Sequence, residues 1–399
     1  MRRLCICLFV VMFLAAGSAA QAAGCRGSQP FGAWIEEFTS EALAAGITRQ
    51  TLASAQPYFI FDQSIVNKDR GQGVFAQSFL QFSDRMAAPY RIQKAGQLIQ
   101  QHAAVFDRIE KEFGVPPQPI LAFWALETDF GANIGDLPTI RSLVSLGFDC
   151  RRSEMFQKEL ISALKVVQRG DLRPDEMRGP WAGELGQLQF LPSHYFDYAV
   201  DYDGDGRRDL LNSAPDALGS AGNFLSKLGW KRGEPWLTEV RVPQNLPWDQ
   251  ADLAIQHARS QWSKMGVSLA NGQPLPFDEL KASLLLPMGR FGPAFLAYDN
   301  FQILLKWNQS IVYSTTVAYL ANRIAGAPPV QRGTQQIASL DAKQLQELQK
   351  LLAARGFEPG KADGKMGFDT KSAIKQAQVK LGLPADSYPN LELIERLRR

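Results

Sequence analysis

Apolar residues recur at three- and four-residue spacing through much of the chain, the period of helices with one buried face. FGAWIEEFTSEALAAGI and RIQKAGQLIQQHAAVFDRIEKEFGV show it between Phe31 and about Val115, and each closes near a glycine, a helix stop. SEMFQKELISALKVVQRG and APDALGSAGNFLSKLGW repeat it. The pattern changes between Trp230 and Asn300, where WLTEVRVP and ASLLLPMGRFGPAFLAYD are rich in strand and turn residues. NFQILLKWNQSIVYSTTVAYLANRIAG then returns to the helical period. The predicted class is mainly α with a small β-containing subregion. Past Gly326, APPVQRGTQQ combines two prolines, a glycine and polar residues, and reads as a linker over 326–337. DAKQLQELQKLLAARG and FDTKSAIKQAQVKLGL predict helices of a compact second domain over 338–399, after a main domain over 24–325.

The first segment, MRRLCICLFVVMFLAAGSAAQAA, has a basic start at Arg2 and Arg3, an apolar run from Leu4 to Ala16 and a small-x-small site at Ala20-Gln21-Ala22. Residues 1–23 are therefore expected to be a secretory signal peptide, and the protein periplasmic. The apolar run is shorter than the ~20 residues of a membrane span. Of the four cysteines, Cys5 and Cys7 leave with the signal. Cys25 and Cys150 remain as a pair in an oxidising compartment, where a disulfide is expected. The alternative is lipidation of Cys25 within AAGC, although Ala22 stands where a leucine would strengthen that signal.

A net charge of only +3 over 399 residues carries no basic stripe for nucleic acid. Three histidines, His102, His194 and His257, lie far apart without zinc-ligand spacing. No Gly-x-Ser-x-Gly elbow or P-loop is present, so carboxylates are the chemistry on offer. Glu127 ends PILAFWALET, a segment apolar on nearly every face and so expected to be buried. Desolvation and the negative end of the helix dipole would both keep its proton on, as a general acid requires. The bland alternative is a glutamate turned to solvent as the helix ends. In RGPWAGELGQLQFLPSHYF, glycines 179, 183 and 186 permit close backbone approach. Gln187 and Gln189 could there orient a polar ligand, and Trp181, Phe190 and Tyr195 could stack on sugar faces. DYDGDGRRD places Asp201, Asp203 and Asp205 at positions 1, 3 and 5 of a calcium loop, Gly206 at 6, Arg207 at 7 and Asp209 at 9. Position 12 is Asn212 rather than a glutamate, and Asp216 is the substitute candidate. A structural Ca2+ is expected, with no cofactor for catalysis.

Three stretches now resemble a known family: ALETDFGANIGDLPTIRSLVSLGFDCRR, the run from Gly179 to Trp230, and WNQSIVYSTTVAYLANRI. They are similar to the membrane-bound lytic transglycosylase B family of bacterial peptidoglycan enzymes, over roughly Cys25 to Gly326. The tail resembles the three-helix peptidoglycan-binding domain, with Gly360, Asp363, Gly364, Gly367 and Thr370 in its pattern. The resemblance implies a lysozyme-like helical core around a long sugar-binding groove. It implies cleavage of the β-1,4 bond after N-acetylmuramic acid, leaving a 1,6-anhydro end. It maps the catalytic acid to Glu127, groove residues to Gln189, Phe224, Trp307 and Tyr313, and the calcium loop to Asp201, Asp203, Asp205 and Asp216. Peptidoglycan strands are the implied partner of a monomer, with cell-wall synthesis or secretion assemblies as candidate recruiters. Four residues depart from the family: Pro180 replaces a serine, Phe224 a tyrosine, Ala377 an aromatic and Ser387 a glycine.

A single glutamate then suffices, acting as acid and afterwards as base, with the substrate's own N-acetyl group assisting. Two rival readings accompany it. One is a muramidase-type hydrolase with Asp129 or Glu184 as second acid. The other is a non-catalytic, calcium-stabilised wall-binding protein.

Overall fold

The computed structural model describes residues 24–27, 29–71, 77–333, 337 and 340–399. The expected signal segment and part of the expected linker lie outside the described residues. The architecture is mainly α. The second long helical pattern divides at His102, whose φ of −111° and ψ of 27° leave helical geometry. Helices Pro89–Gln101 and Ala103–Phe113 result, the second stopped by left-handed Gly114. Apolar periodicity continues across the break because both helices pack on the same core, so the pattern alone hides it.

That core is built around the helix Pro117–Thr128, called the acid helix below. Proline at its first position suits a helix start. Seven consecutive residues, Pro119 to Ala125, are buried, because the neighbouring helices surround it. Ala214–Lys227, Ile311–Ile324 and Pro89–Gln101 pack against it.

The β-containing stretch forms a five-stranded antiparallel sheet, ordered His257–Ala258, Lys281–Leu285, Ala294–Ala297, Leu237–Arg241, Ser268–Leu269. It covers a second core containing Trp262, Leu284, Leu296 and Tyr298. The tail holds three helices, Ala342–Ala354, Phe368–Lys380 and Leu391–Arg398, around a core of its own with Leu348, Ile374, Ala377 and Leu393. Ala377 is fully buried there, so its small side chain is a packing choice of that core. The three-helix unit meets the sheet side through Lys375–Asp252 at 2.7 Å and Arg290–Asp386 at 3.4 Å.

Cys25 and Cys150 form a disulfide across 125 positions, with Cα atoms 5.1 Å apart. Beside it, Arg26 N donates to Phe148 O at 2.7 Å. The bond ties the chain's first described residues to the turn between helices Thr139–Phe148 and Ser153–Arg169. It also occupies the sulfur that lipidation would need. Replacing both cysteines by serine is expected to lower unfolding free energy by about 2–4 kcal/mol. Urea denaturation measures it, and an unchanged midpoint would show that the bond constrains nothing.

Candidate active site

The acid helix ends in an unusual elbow. Asp129, Phe130 and Gly131 follow one another with φ of 53°, 62° and 84°. Two of them are not glycine, and such conformations persist only where surrounding contacts impose them. Thr128 supplies one: its hydroxyl donates to Gln187 O at 2.5 Å and accepts from Gly131 N at 2.9 Å. A Cβ on Gly131 would lie 2.7 Å from Gln187 Oε1. Asp129 supplies another, accepting from Tyr90 Oη and Arg91 Nε, each at 2.9 Å. Both bonds fall on its Oδ1 and tie Asp129 to the elbow.

Glu127 sits two residues before this elbow, half-buried at the floor of a groove. Its Oε1 accepts a 2.5 Å hydrogen bond from Tyr313 Oη. Burial pushes its carboxyl up to about 7; the Tyr313 and Trp307 hydrogen bonds pull down, and the charge of Glu184 pushes up. Tyr313 is raised well above a normal phenol by burial and by Glu127, so it stays a donor.

The cavity here is about 380 Å³, lined by Glu127, Pro180, Trp181, Glu184, Gln189, His194, Phe224 and Trp307 among others. One wall is aromatic. Trp307 stacks on Phe123 at 4.1 Å between ring centres, and Phe224 lies 5.1 Å from Trp307, 4.6 Å from Tyr198 and 4.6 Å from His194. Burial lowers the His194 pKa, which favours a neutral ring in that wall. A second hollow of about 430 Å³ continues past the elbow between Tyr90, Lys94 and Phe130.

The glycine-rich loop is pressed into place. A Cβ on Gly179 would fall 2.0 Å from Glu184 O, and one on Gly135 2.5 Å from Pro180 N. Gln189 has φ of 49°, and its amide nitrogen donates to Gly186 O at 2.8 Å and Ile134 O at 3.3 Å. Among the described residues no donor reaches its Oε1. Gln187 is not a ligand group: it is buried, donates to Leu211 O at 3.2 Å and braces the loop. Tyr195 is also removed from the sugar-stacking set, because it is fully buried and its hydroxyl donates to Arg208 O. Phe190 is nearly fully buried but still lines the groove, edge-on to Trp307 at 5.3 Å.

In the acidic loop, carboxylate oxygens of Asp201, Asp203 and Asp205 lie within 4.8 Å of one another. Asp216 does not join that cluster. It is buried and accepts backbone N–H bonds from Tyr202, Asp203 and Asp209 at 2.7, 3.2 and 2.8 Å. Asp209 accepts from Leu211 N and Asn212 N and pairs with the Arg207 guanidinium at 3.2 Å. Asp216 and Asp209 hold the loop's shape, and the three convergent carboxylates also accept loop bonds, Asp201 from Gly204 N and Gly206 N, Asp203 from Asp205 N and Ser213 Oγ.

Residues 30–322 match the family described as "Transglycosylase SLT domain". The chain belongs to the SLT transglycosylase family. Residues 341–397 match "Putative peptidoglycan binding domain". A curated relative, membrane-bound lytic murein transglycosylase B of Escherichia coli K12, is 29% identical over 251 residues, which is 62% of this chain and 68% of that protein. SltB3 of Pseudomonas aeruginosa, solved with NAG-anhNAM-pentapeptide and with NAG-NAM-pentapeptide, is 38% identical. The likeness covers 93% of this chain and all of SltB3, with a TM-score of 0.86. Slt35 of Escherichia coli, solved in complex with calcium, is 26% identical over 78% of this chain and 97% of its own, with a TM-score of 0.63. The SLT member described here is accordingly a lytic transglycosylase with the expected lysozyme-like helical fold.

Several lining groups went unread in the sequence. His194 and Asn308 line the groove, and Phe123 backs Trp307, yet only the fold brings them there. Tyr313 was assigned to the groove wall, but its bond to Glu127 joins residues 186 positions apart. Because that bond stabilises the carboxylate, Tyr313→Phe is expected to raise the Glu127 pKa further. The alkaline limb of activity should then move up by about one pH unit while maximal turnover falls. A pH profile of turnover checks this, and a limb moving down would contradict it.

Proposed function

We propose that Glu127 is the single acid and base of a cleavage of peptidoglycan that consumes no water. The observation that carries this reading is the Glu127 carboxyl at the groove floor, raised to about 7 by burial and held by Tyr313 Oη. Glu127 gives its proton to the glycosidic oxygen as the C1–O bond breaks between N-acetylmuramic acid and N-acetylglucosamine. The acetamido oxygen of the same muramic residue stabilises C1. The Glu127 carboxylate then takes the proton of the C6 hydroxyl, and O6 bonds to C1. The product is a 1,6-anhydro end, and the enzyme recovers its proton. Gln189 Oε1 suits the acetamido N–H, while Trp181, Phe224 and Trp307 supply apolar faces for sugar rings. The engagement of Asp129 by Arg91 and Tyr90 disfavours its service as a hydrolase base.

The wider setting follows from the same reading. The leader-like first segment and the Cys25–Cys150 bond support export to the periplasm, and the disulfide supports Cys25 as a bridge rather than a lipid site. Residues 338–399 act as a wall-binding domain joined to the 24–325 catalytic domain through the 326–337 linker. Asp201, Asp203 and Asp205, with the Arg207 carbonyl, hold a structural Ca2+. Three carboxylates this close repel one another, and a divalent ion would relieve that.

Mass spectrometry of muropeptides from purified sacculi tests the reaction. Anhydro ends, lighter by one water than hydrolysed ends, are expected, and hydrated ends would overturn it. Glu127→Gln should cost at least about a hundredfold in turnover while sacculus binding persists. Calcium at about a hundred times its Kd should stabilise the wild type by about 2.7 kcal/mol. The same addition should leave Asp201→Asn/Asp203→Asn unmoved in thermal melts, and an equal response in both would remove the metal from the loop.

A further inference from the structure

A second carboxyl lines the groove, and the reaction as written does not use it. Glu184 lines the same cavity as Glu127, and its charge pushes the Glu127 carboxyl up. Its position is built. The Gly179 Cβ that is missing would overlap its carbonyl, and a Cβ on Gly183 would fall 2.4 Å from Leu143 Cδ2. The two glycines thus let the chain sink Glu184 into the wall. Paired bonds between Leu185 and Phe190, 2.8 and 2.9 Å, lock the backbone that follows.

Burial pushes the Glu184 carboxyl up, against a bond from its own backbone N–H and the charge of Arg152. Its Oε2 is out of water with no hydrogen-bond partner, and among the described residues no salt bridge reaches it. The charge of Arg152 acts on it, yet that guanidinium is already bonded to buried Asp69. Glu159 adds a repulsive charge and is itself held by Ser193 N and Oγ at 2.9 and 2.8 Å. Asp197 acts on Glu159 in turn. Around Glu127 the other ionisable groups are Tyr313, which donates to it, and His194, which burial favours as neutral. Asp129 is neutralised by Arg91.

We propose that Glu184 is a positioning residue for the proton of Glu127: a carboxyl in the same cavity with one buried, unpartnered oxygen, it keeps Glu127 in its donating form. This rests on the assignment of Glu127 as the acid. Two neighbouring carboxyls withheld from water cannot both ionise cheaply, so the pair retains a proton that either alone would lose. The effect serves both halves of the reaction. Before bond cleavage it holds the proton on Glu127. Afterwards, with Glu127 ionised, it makes that carboxylate a stronger base toward the C6 hydroxyl.

The sign of the test follows. The protonated form of Glu127 starts the reaction, so activity is present below its pKa and lost above. Glu184→Gln removes the repulsion, lowers that pKa and should move the alkaline limb down by about one pH unit. Above the wild-type limb this is about a tenfold loss of kcat, with KM unchanged. Glu184→Asp, which keeps the charge, should restore the limb. A purely structural role would lower activity equally at all pH values, and a limb that does not move in Glu184→Gln overturns the proposal. If that variant does not fold, the ¹³C carboxyl titration of wild type decides. Coupled groups show two steps in each curve, and single independent steps would also overturn it. Glu127→Gln is assayed alongside. Turnover surviving there would sink the Glu127 assignment, whereas a dead Glu127→Gln with an unmoved Glu184→Gln sinks only the role of Glu184.

Discussion

A carboxyl must be dry enough to keep its proton and open enough to meet a sugar, and this fold is arranged around that conflict. The acid helix resolves the first half by running through the core with Pro119 to Ala125 and Thr128 buried. Raising a glutamate from 4.5 to about 7 corresponds to roughly 3 kcal/mol of disfavoured charge, an amount comparable to a large single mutation. The elbow at Asp129 and Phe130 resolves the second half. It stops the helix abruptly after Glu127, so the carboxyl reaches the groove while the backbone turns away.

The remainder of the site reads as support for that elbow. Thr128, Gln187 and Gly131 lock its inner side, and Tyr90 and Arg91 hold its outer side through Asp129. The glycines of the loop bring the opposite wall within contact distance. Strained backbone is retained here because contacts from two other segments, at Tyr90–Arg91 and at Gln187, oppose its relaxation.

Much of this was legible in the residues. Helical periods, the strand-rich interval, the acidic loop and the buried end of PILAFWALET each follow from local pattern, which depends on neighbours a few positions away. The break at His102 was not legible, because two helices sharing one core keep one apparent phase. Nor was the division of labour among similar residues. Gln187 braces while Gln189 faces the groove, Tyr195 is buried while Tyr313 bonds the acid, and Asp216 holds backbone while Asp201 meets Asp203 and Asp205. Those roles depend on which long-range neighbour satisfies each polar group, and spacing carries no information about that.

The stack of Trp307 on Phe123 has a consequence for precision. Phe123 and Glu127 stand four residues apart on the acid helix, so both face one way. Their partners, Trp307 and Tyr313, flank the corner between helices Asp299–Trp307 and Ile311–Ile324. The acid and the aromatic platform are therefore referenced to the same two bodies. When the domain breathes, a shift of the acid helix carries platform and proton donor together. Alignment between bound ring and reacting oxygen then tolerates motions that would ruin a site assembled from independent loops.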